Sequence, residues 1–100
     1  MISEFVKLYQ TDYRLFVEDF RCVELFDSLT NEPISYSVFG TRVTNLFLDI
    51  SLWPRIGESV LSKDKEIFEV TDILTYKENA YCIKRFYLKK EIERNSITNV

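Results

Sequence analysis

The residues best equipped for chemistry in this chain are its acids and bases, and their spacing is not that of a catalytic centre. Glu18 with Asp19, Asp64 with Glu66, and Glu91 with Glu93 are the close acid pairs. General acid–base work needs two carboxylates held in a cleft with separated pKa values, whereas neighbouring acids on a helix or loop are ordinarily solvated. The chain has no His, so no imidazole triad, His-ligated zinc or imidazole acid–base pair can be built from it alone. Cys22 and Cys82 lie sixty positions apart in apolar surroundings, which matches no metal knuckle or C-x-x-C pair. They read as buried small hydrophobes, with a disulfide as the alternative. Phosphate loops need glycines that let the backbone approach an anion, and the two glycines here form no G-x-G or Walker pattern. A G-x-S-x-G elbow and an EF-hand spacing are equally lacking. No catalytic residue, metal or cofactor is expected, and the chain reads as a non-enzyme.

Two features suit binding better. The segment Tyr81 to Lys90 interleaves aromatics with bases, as single-strand nucleic-acid platforms do with stacking faces beside phosphate contacts. Strand alternation places Tyr81, Ile83, Arg85 and Tyr87 on one side and Cys82, Lys84, Phe86 and Leu88 on the other. Lys84, Arg85, Lys89 and Lys90 are the candidate nucleic-acid contacts. Trp53, the lone tryptophan, precedes Pro54 at a strand end, where it caps a core or anchors a partner. With Tyr81, Arg85 and Tyr87 it forms the set of candidate contacts to a protein partner. Asp49 interrupts an apolar run, and a period of two sets it beside Phe47, Ser51 and Trp53 on an outer face.

These side chains need elements to hold them, and 100 residues with 46% hydrophobic, 29% charged and 15% aromatic content make one folded domain. In residues 1–20, Ile2, Phe5, Val6, Tyr9, Tyr13, Phe16, Val17 and Phe20 fall within roughly 120° of arc at helical spacing. That predicts an amphipathic helix; two short strands are the competing reading, since Phe, Val and Tyr favour β structure. From residue 21 the chain reads as strands over 21–27, 34–39, 42–53, 59–62, 66–75 and 81–89, with a tail over 90–100. Ile34, Tyr36 and Val38 alternate with Ser35 and Ser37, and Leu46, Leu48, Ile50 and Leu52 line one face of a long strand. Connections this short imply antiparallel neighbours. The expected fold is α+β, mainly β: an N-terminal helix over a bent antiparallel sheet closing toward a small barrel.

The run Pro54-Arg55-Ile56-Gly57-Glu58-Ser59-Val60, followed by Phe68-Glu69-Val70 and Ile73-Leu74, resembles a pattern in small uncharacterised bacterial proteins with SH3-like β-barrels. The resemblance spans residues 53–88. It implies a fold of that kind and no function, because its motifs are turn chemistry and core packing.

A net charge of −3 argues against a whole-surface grip on nucleic acid or anionic lipid. Residues 1–30 are acidic, and residues 81–100 mildly basic. No window approaches the roughly 20 apolar residues of a membrane span, and the N-terminus lacks a basic leader with an apolar h-region. The expectation is a cytoplasmic, non-catalytic protein of bacterial or mobile-element origin that binds another protein, as an inhibitor, immunity-type or accessory protein. Strands apolar on both faces add a homodimer to that expectation. A nucleic-acid-binding module using residues 81–90 is the alternative.

Overall fold

A computed structural model describes residues 12–17 and 20–91. Five strands, β1 (Arg14–Val17), β2 (Arg21–Asp27), β3 (Ser59–Leu61), β4 (Ile67–Glu78) and β5 (Tyr81–Lys90), form one sheet in the order β1-β2-β5-β4-β3. One short helix, α1 (Thr41–Leu48), and single turns of 3-10 helix at Tyr36–Val38 and Ile50–Leu52 fill the crossover from β2 to β3. The hairpin β1-β2 and the meander β3-β4-β5 are both antiparallel, but they meet through a parallel β2-β5 pair. The result is a mainly β, curled, mixed half-barrel.

This corrects the expected architecture in four places. The sheet is mixed, because the long crossover returns the chain to β5 beside β2 in the same direction. It does not close into a barrel, since β1 and β3 are its two edges. Residues 42–53 are not a strand: Val43 and Phe47, four apart, are buried while Leu48, Ile50 and Leu52 are exposed. The relevant period was that of a helix, with Leu46 partly buried beside them. Residues 34–39 are not a strand either: Tyr36–Val38 is a 3-10 turn, and the Ser35 hydroxyl accepts the Ser37 N–H at 3.1 Å, a local bond that competes with a ladder. Pro33 makes only an isolated bridge to Phe26.

The expected N-terminal helix lies mostly outside the described residues, yet its last part is plainly extended. Leu15 and Phe16 are adjacent and both buried, one on each face of the sheet. Pairing of Arg14 with Glu24 and of Phe16 with Cys22 overrides the helical spacing there.

The main core lies between the sheet and the crossover. Val23, Leu25, Phe86, Leu88 and Val70 meet Tyr36, Phe39, Val43 and Phe47 in one cluster. The Tyr36 hydroxyl donates to the Val23 carbonyl at 3.1 Å, which satisfies the one polar atom that this aromatic brings inside. A smaller cluster of Phe16, Cys22 and Ile83 occupies the opposite face. A bulge in β4 between Val70 and Asp72 makes both faces possible. Phe68 and Val70 point to the main core before it and Ile73 after it, a switch from even to odd positions.

Candidate functional site

An open groove of about 550 Å³ lies on the helix-bearing face. Ile73 of β4 and Lys84 and Phe86 of β5 supply its floor, and Ile50, Trp53, Pro54, Arg55 and Ile56 its wall. The wall is held by the end of α1. The Trp53 indole N–H donates to the Phe47 carbonyl at 2.8 Å, filling one of the acceptors that a helix leaves open in its last turn. The ring packs edge-on to Phe86 with centroids 5.9 Å apart. Pro54 then prevents further helix or ladder bonding.

The turn beyond is closed by its own side chain. Arg55 N–H donates to Glu58 Oε1 at 2.7 Å, and Glu58 N–H returns a bond to the Arg55 carbonyl at 2.9 Å. Gly57 adopts φ 93° with nothing within 4 Å of where a Cβ would stand. Its role is therefore conformational, not steric.

Lys84 Nζ lies 5.9 Å from the Trp53 ring centroid, at the outer limit of a cation–π contact. Among the described residues, neither Lys84 nor Arg55 has a carboxylate in ion-pair range. The nearby acids are committed elsewhere: Glu58 to the turn, and Asp49 to the Ser51 N–H and hydroxyl, which hold its pKa below the usual carboxylate value. Of the lining side chains, Ile50 and Ile56 are 46% and 59% exposed, so the wall of the groove presents apolar surface to solvent. The groove thus combines apolar walls with uncommitted positive charge.

The opposite face carries an ion cluster centred on Glu24, which has no exposure. Arg14 Nε donates to its Oε2 at 2.6 Å; Arg85 Nε and the Tyr76 hydroxyl donate to its Oε1 at 2.8 Å and 2.9 Å. Arg14 also reaches both Glu78 oxygens, so two acids balance two bases. Burial pushes the Glu24 carboxyl upward, but the bonds from Arg85, Arg14 and Tyr76 outweigh it and leave the pKa low. Burial, with Glu24 as neighbour, raises the Tyr76 phenol. Every hydrogen-bonding position on Glu24 faces protein, and the Arg85 guanidinium lies 3.9 Å over the Phe26 ring. Such a connected set holds the strands in register.

The structure separates the residues singled out from sequence. Trp53 and Lys84 share the groove. Arg85, Tyr81 and Tyr87 lie on the other face: Arg85 is bound to Glu24, Tyr81 packs on Phe16 at 4.9 Å, and Tyr87 accepts from Arg85 at 3.2 Å. Lys89 and Lys90 stand at the far end of β5, where Lys90 pairs with Glu66 at 2.6 Å. The four bases proposed for nucleic acid therefore share no single surface. Sequence reasoning missed Glu24 and Arg14, and it did not bring Ile56 and Ile73 together with Trp53. Both cysteines are free, and among the described residues no three His, Cys, Asp or Glu side chains gather as a metal site. Nor is any described helix long and apolar enough to cross a membrane.

Fold and groove together define a mixed-sheet half-barrel with a basic-rimmed apolar groove on its helical face. In comparisons by sequence and by structure, no protein family, no curated protein and no solved structure matches the chain.

Proposed function

We propose that this protein is a non-catalytic binding protein of the cytoplasm that captures a segment of another protein in the groove beside Trp53. Accessory or inhibitor-type roles fit such a protein. The observation that carries the reading is the pairing of apolar walls, Ile56, Ile73 and Trp53, with two uncommitted cations, Lys84 and Arg55. An aliphatic side chain buried there contributes about 1.5 to 3 kcal/mol, and an acid beside it adds specificity more than affinity. Although the chain is acidic overall, the groove selects an acidic segment. Free thiols at Cys22 and Cys82 suit a reducing compartment.

Trp53 is the only tryptophan, so its fluorescence reports on the groove directly. Titration with short capped peptides that pair one aliphatic residue with acidic, neutral or basic neighbours should shift the emission with the acidic set. Lys84→Glu should weaken that binding at least tenfold while the melting temperature holds. Equal binding of the basic set, or no response to any peptide, would remove the groove as the binding site. Submicromolar, salt-sensitive binding of an oligonucleotide would instead favour the nucleic-acid reading.

A further inference from the structure

The groove opens onto an unusual length of free sheet edge. β4 has twelve residues, but β3 pairs only with Ile67, Phe68 and Glu69. Gly57 and Glu58 extend that cover to Val70, through Gly57 N–H to the Val70 carbonyl and Val70 N–H to the Glu58 carbonyl, each at 2.8 Å. Among the described residues, the outer edge of β4 beyond Val70 has no neighbouring strand.

The direction of each backbone group follows from β5. Cys82 N–H donates to Phe20, and the Leu88 carbonyl accepts from Ser28, so the even residues of β5 bond on the β2 side. Its odd residues therefore bond to β4. They face Asp72, Leu74, Tyr76 and Glu78 in the register, which leaves the N–H and carbonyl groups of Ile73, Thr75 and Lys77 pointing outward. The Ile73 N–H is occupied by Asp72 Oδ1 at 2.8 Å. Among the described residues, the Ile73 carbonyl and both groups of Thr75 and Lys77 have no backbone partner. Proline and inward-pointing charge, which commonly blunt such an edge, are missing from Ile73-Leu74-Thr75-Tyr76.

We propose that the partner segment docks as an added β-strand along the outer edge of β4, bonded to Ile73, Thr75 and Lys77. This rests on the groove reading above and states how the segment lies. An added strand runs about 4.8 Å beyond β4, and its alternate side chains fall on the face that carries Ile73 and the groove. The side chain beside Ile73 enters between Ile73, Ile56 and Trp53. Two residues along, the side chain beside Thr75 and Lys77 meets Lys84, which is the cross-strand neighbour of Thr75. The segment that fits has an aliphatic residue and an acid two positions apart. Backbone bonds supply affinity and the two alternate side chains supply selection.

A second copy of this chain fits less well. Antiparallel self-pairing centred on Thr75, the register that uses the most free groups, sets Asp72 against Glu78. It also turns Lys77 of the copy toward Lys84 and Arg55. Like charges so placed oppose association.

The test uses the full chain and a capped seven-residue peptide with valine and glutamate two positions apart. Two further versions carry N-methyl groups on one or the other alternate set of amides. Strand addition predicts at least tenfold weaker binding, read from Trp53 emission, for one methylated set and little change for the other. It also predicts slowed amide exchange at Thr75 and Lys77 in the complex. Thr75→Pro, which removes an outward donor, should reproduce the loss if its melting temperature is close to the wild type. A peptide that shifts Trp53 emission regardless of either methylation would overturn strand addition and leave the groove reading intact. Failure of every peptide to shift Trp53 emission would overturn both. Concentration-dependent protection of Thr75 and Lys77 in the protein alone, with a dimer in sedimentation, would assign the edge to a second copy and overturn the partner strand.

Discussion

Arg85 of β5 stands directly opposite Glu24 of β2 in the parallel register and donates to it at 2.8 Å. On the other side of Glu24, Arg14 of β1 is its antiparallel partner and donates at 2.6 Å. With the Tyr76 hydroxyl of β4 also donating to it, one carboxylate ties four strands together, and the parallel pair has no hairpin to fix it otherwise. A slip of one residue on either side would leave a buried charge unpaired, so the cluster specifies register.

Because the Glu24 pKa is depressed in the fold, the unfolded chain binds a proton more readily than the folded one. The stability that this provides is present above the ordinary Glu value of 4.5 and is lost as pH falls through the lower folded pKa. Glu24→Gln should cost about 3 kcal/mol, the low end for breaking a buried pair, since both arginines are about a fifth exposed. It should also flatten the fall of melting temperature between pH 5 and pH 3. Thermal melts across that range decide it: a variant as stable as wild type, or equally acid-sensitive, contradicts the role given to Glu24.

The sequence holds the Glu24 signal, but the same signal points elsewhere as well. An acid inside an apolar run occurs both at Asp49 and within Cys22-Val23-Glu24-Leu25-Phe26. Asp49 is an exposed cap and Glu24 is buried. What separates them is the element: on a strand, Glu24 shares its face with Cys22 and Phe26, whereas Asp49 follows a helix end. Strands over 21–27 and 81–89 are legible because alternation and turn residues agree there. Helix α1 is not, because Leu46, Leu48, Ile50 and Leu52 mimic a period of two while Val43 and Phe47 carry the burial. The β2-β5 pairing joins segments some sixty residues apart and leaves no local mark. Of the groove, Trp53 and Lys84 are visible in sequence as residues, but their meeting depends on that long-range pairing.

The two thiols should differ sharply in reactivity. Cys22 is fully buried, and burial pushes its thiol up to about 12, while Cys82 is half-buried. The thiolate is the nucleophile, so native-state alkylation should modify Cys82 and spare Cys22. Mass spectrometry after brief iodoacetamide treatment at pH 8 gives the answer; modification of Cys22 at a comparable rate would mean that the Phe16–Ile83 cluster opens readily.

Nucleic-acid binding should be weak. Lys84 and Arg85 point to opposite faces, Arg85 is spent on Glu24, and Lys89 lies about 16 Å along the strand from Lys84 at about 3.3 Å per residue. No more than one or two phosphates can be reached together, against the field of a chain with net charge −3. A single-strand contact contributes a log-log salt slope of about 0.7, so the expected slope is below roughly 1.5 and the affinity no tighter than micromolar near physiological salt. Fluorescence anisotropy with a labelled oligonucleotide at several salt concentrations measures both.

The turn after Trp53 separates scaffold from binding surface within four residues. Gly57 has open space around it, so Gly57→Val meets no clash, and its cost comes from forcing a β-branched residue to φ 93°. That should exceed about 1 kcal/mol. Gly40, at φ 74° and ψ −164° before α1, is held by the same argument, since a Cβ there would make only an ordinary 3.7 Å contact with Lys63. Glu58→Ala removes the bond that closes the turn at Arg55 N–H and should cost about 0.5 to 1 kcal/mol. Arg55→Ala deletes a side chain with no ion-pair partner among the described residues, and its cost should be within about 0.5 kcal/mol. Melting curves of Gly57→Val, Gly40→Val, Glu58→Ala and Arg55→Ala, run beside the acidic-peptide titration, should rank the glycine variants lowest in stability. Arg55→Ala should keep the fold and lose affinity. If Arg55→Ala instead melts early, or binds the peptide as wild type does, its guanidinium belongs to the scaffold and Lys84 alone carries the groove's charge.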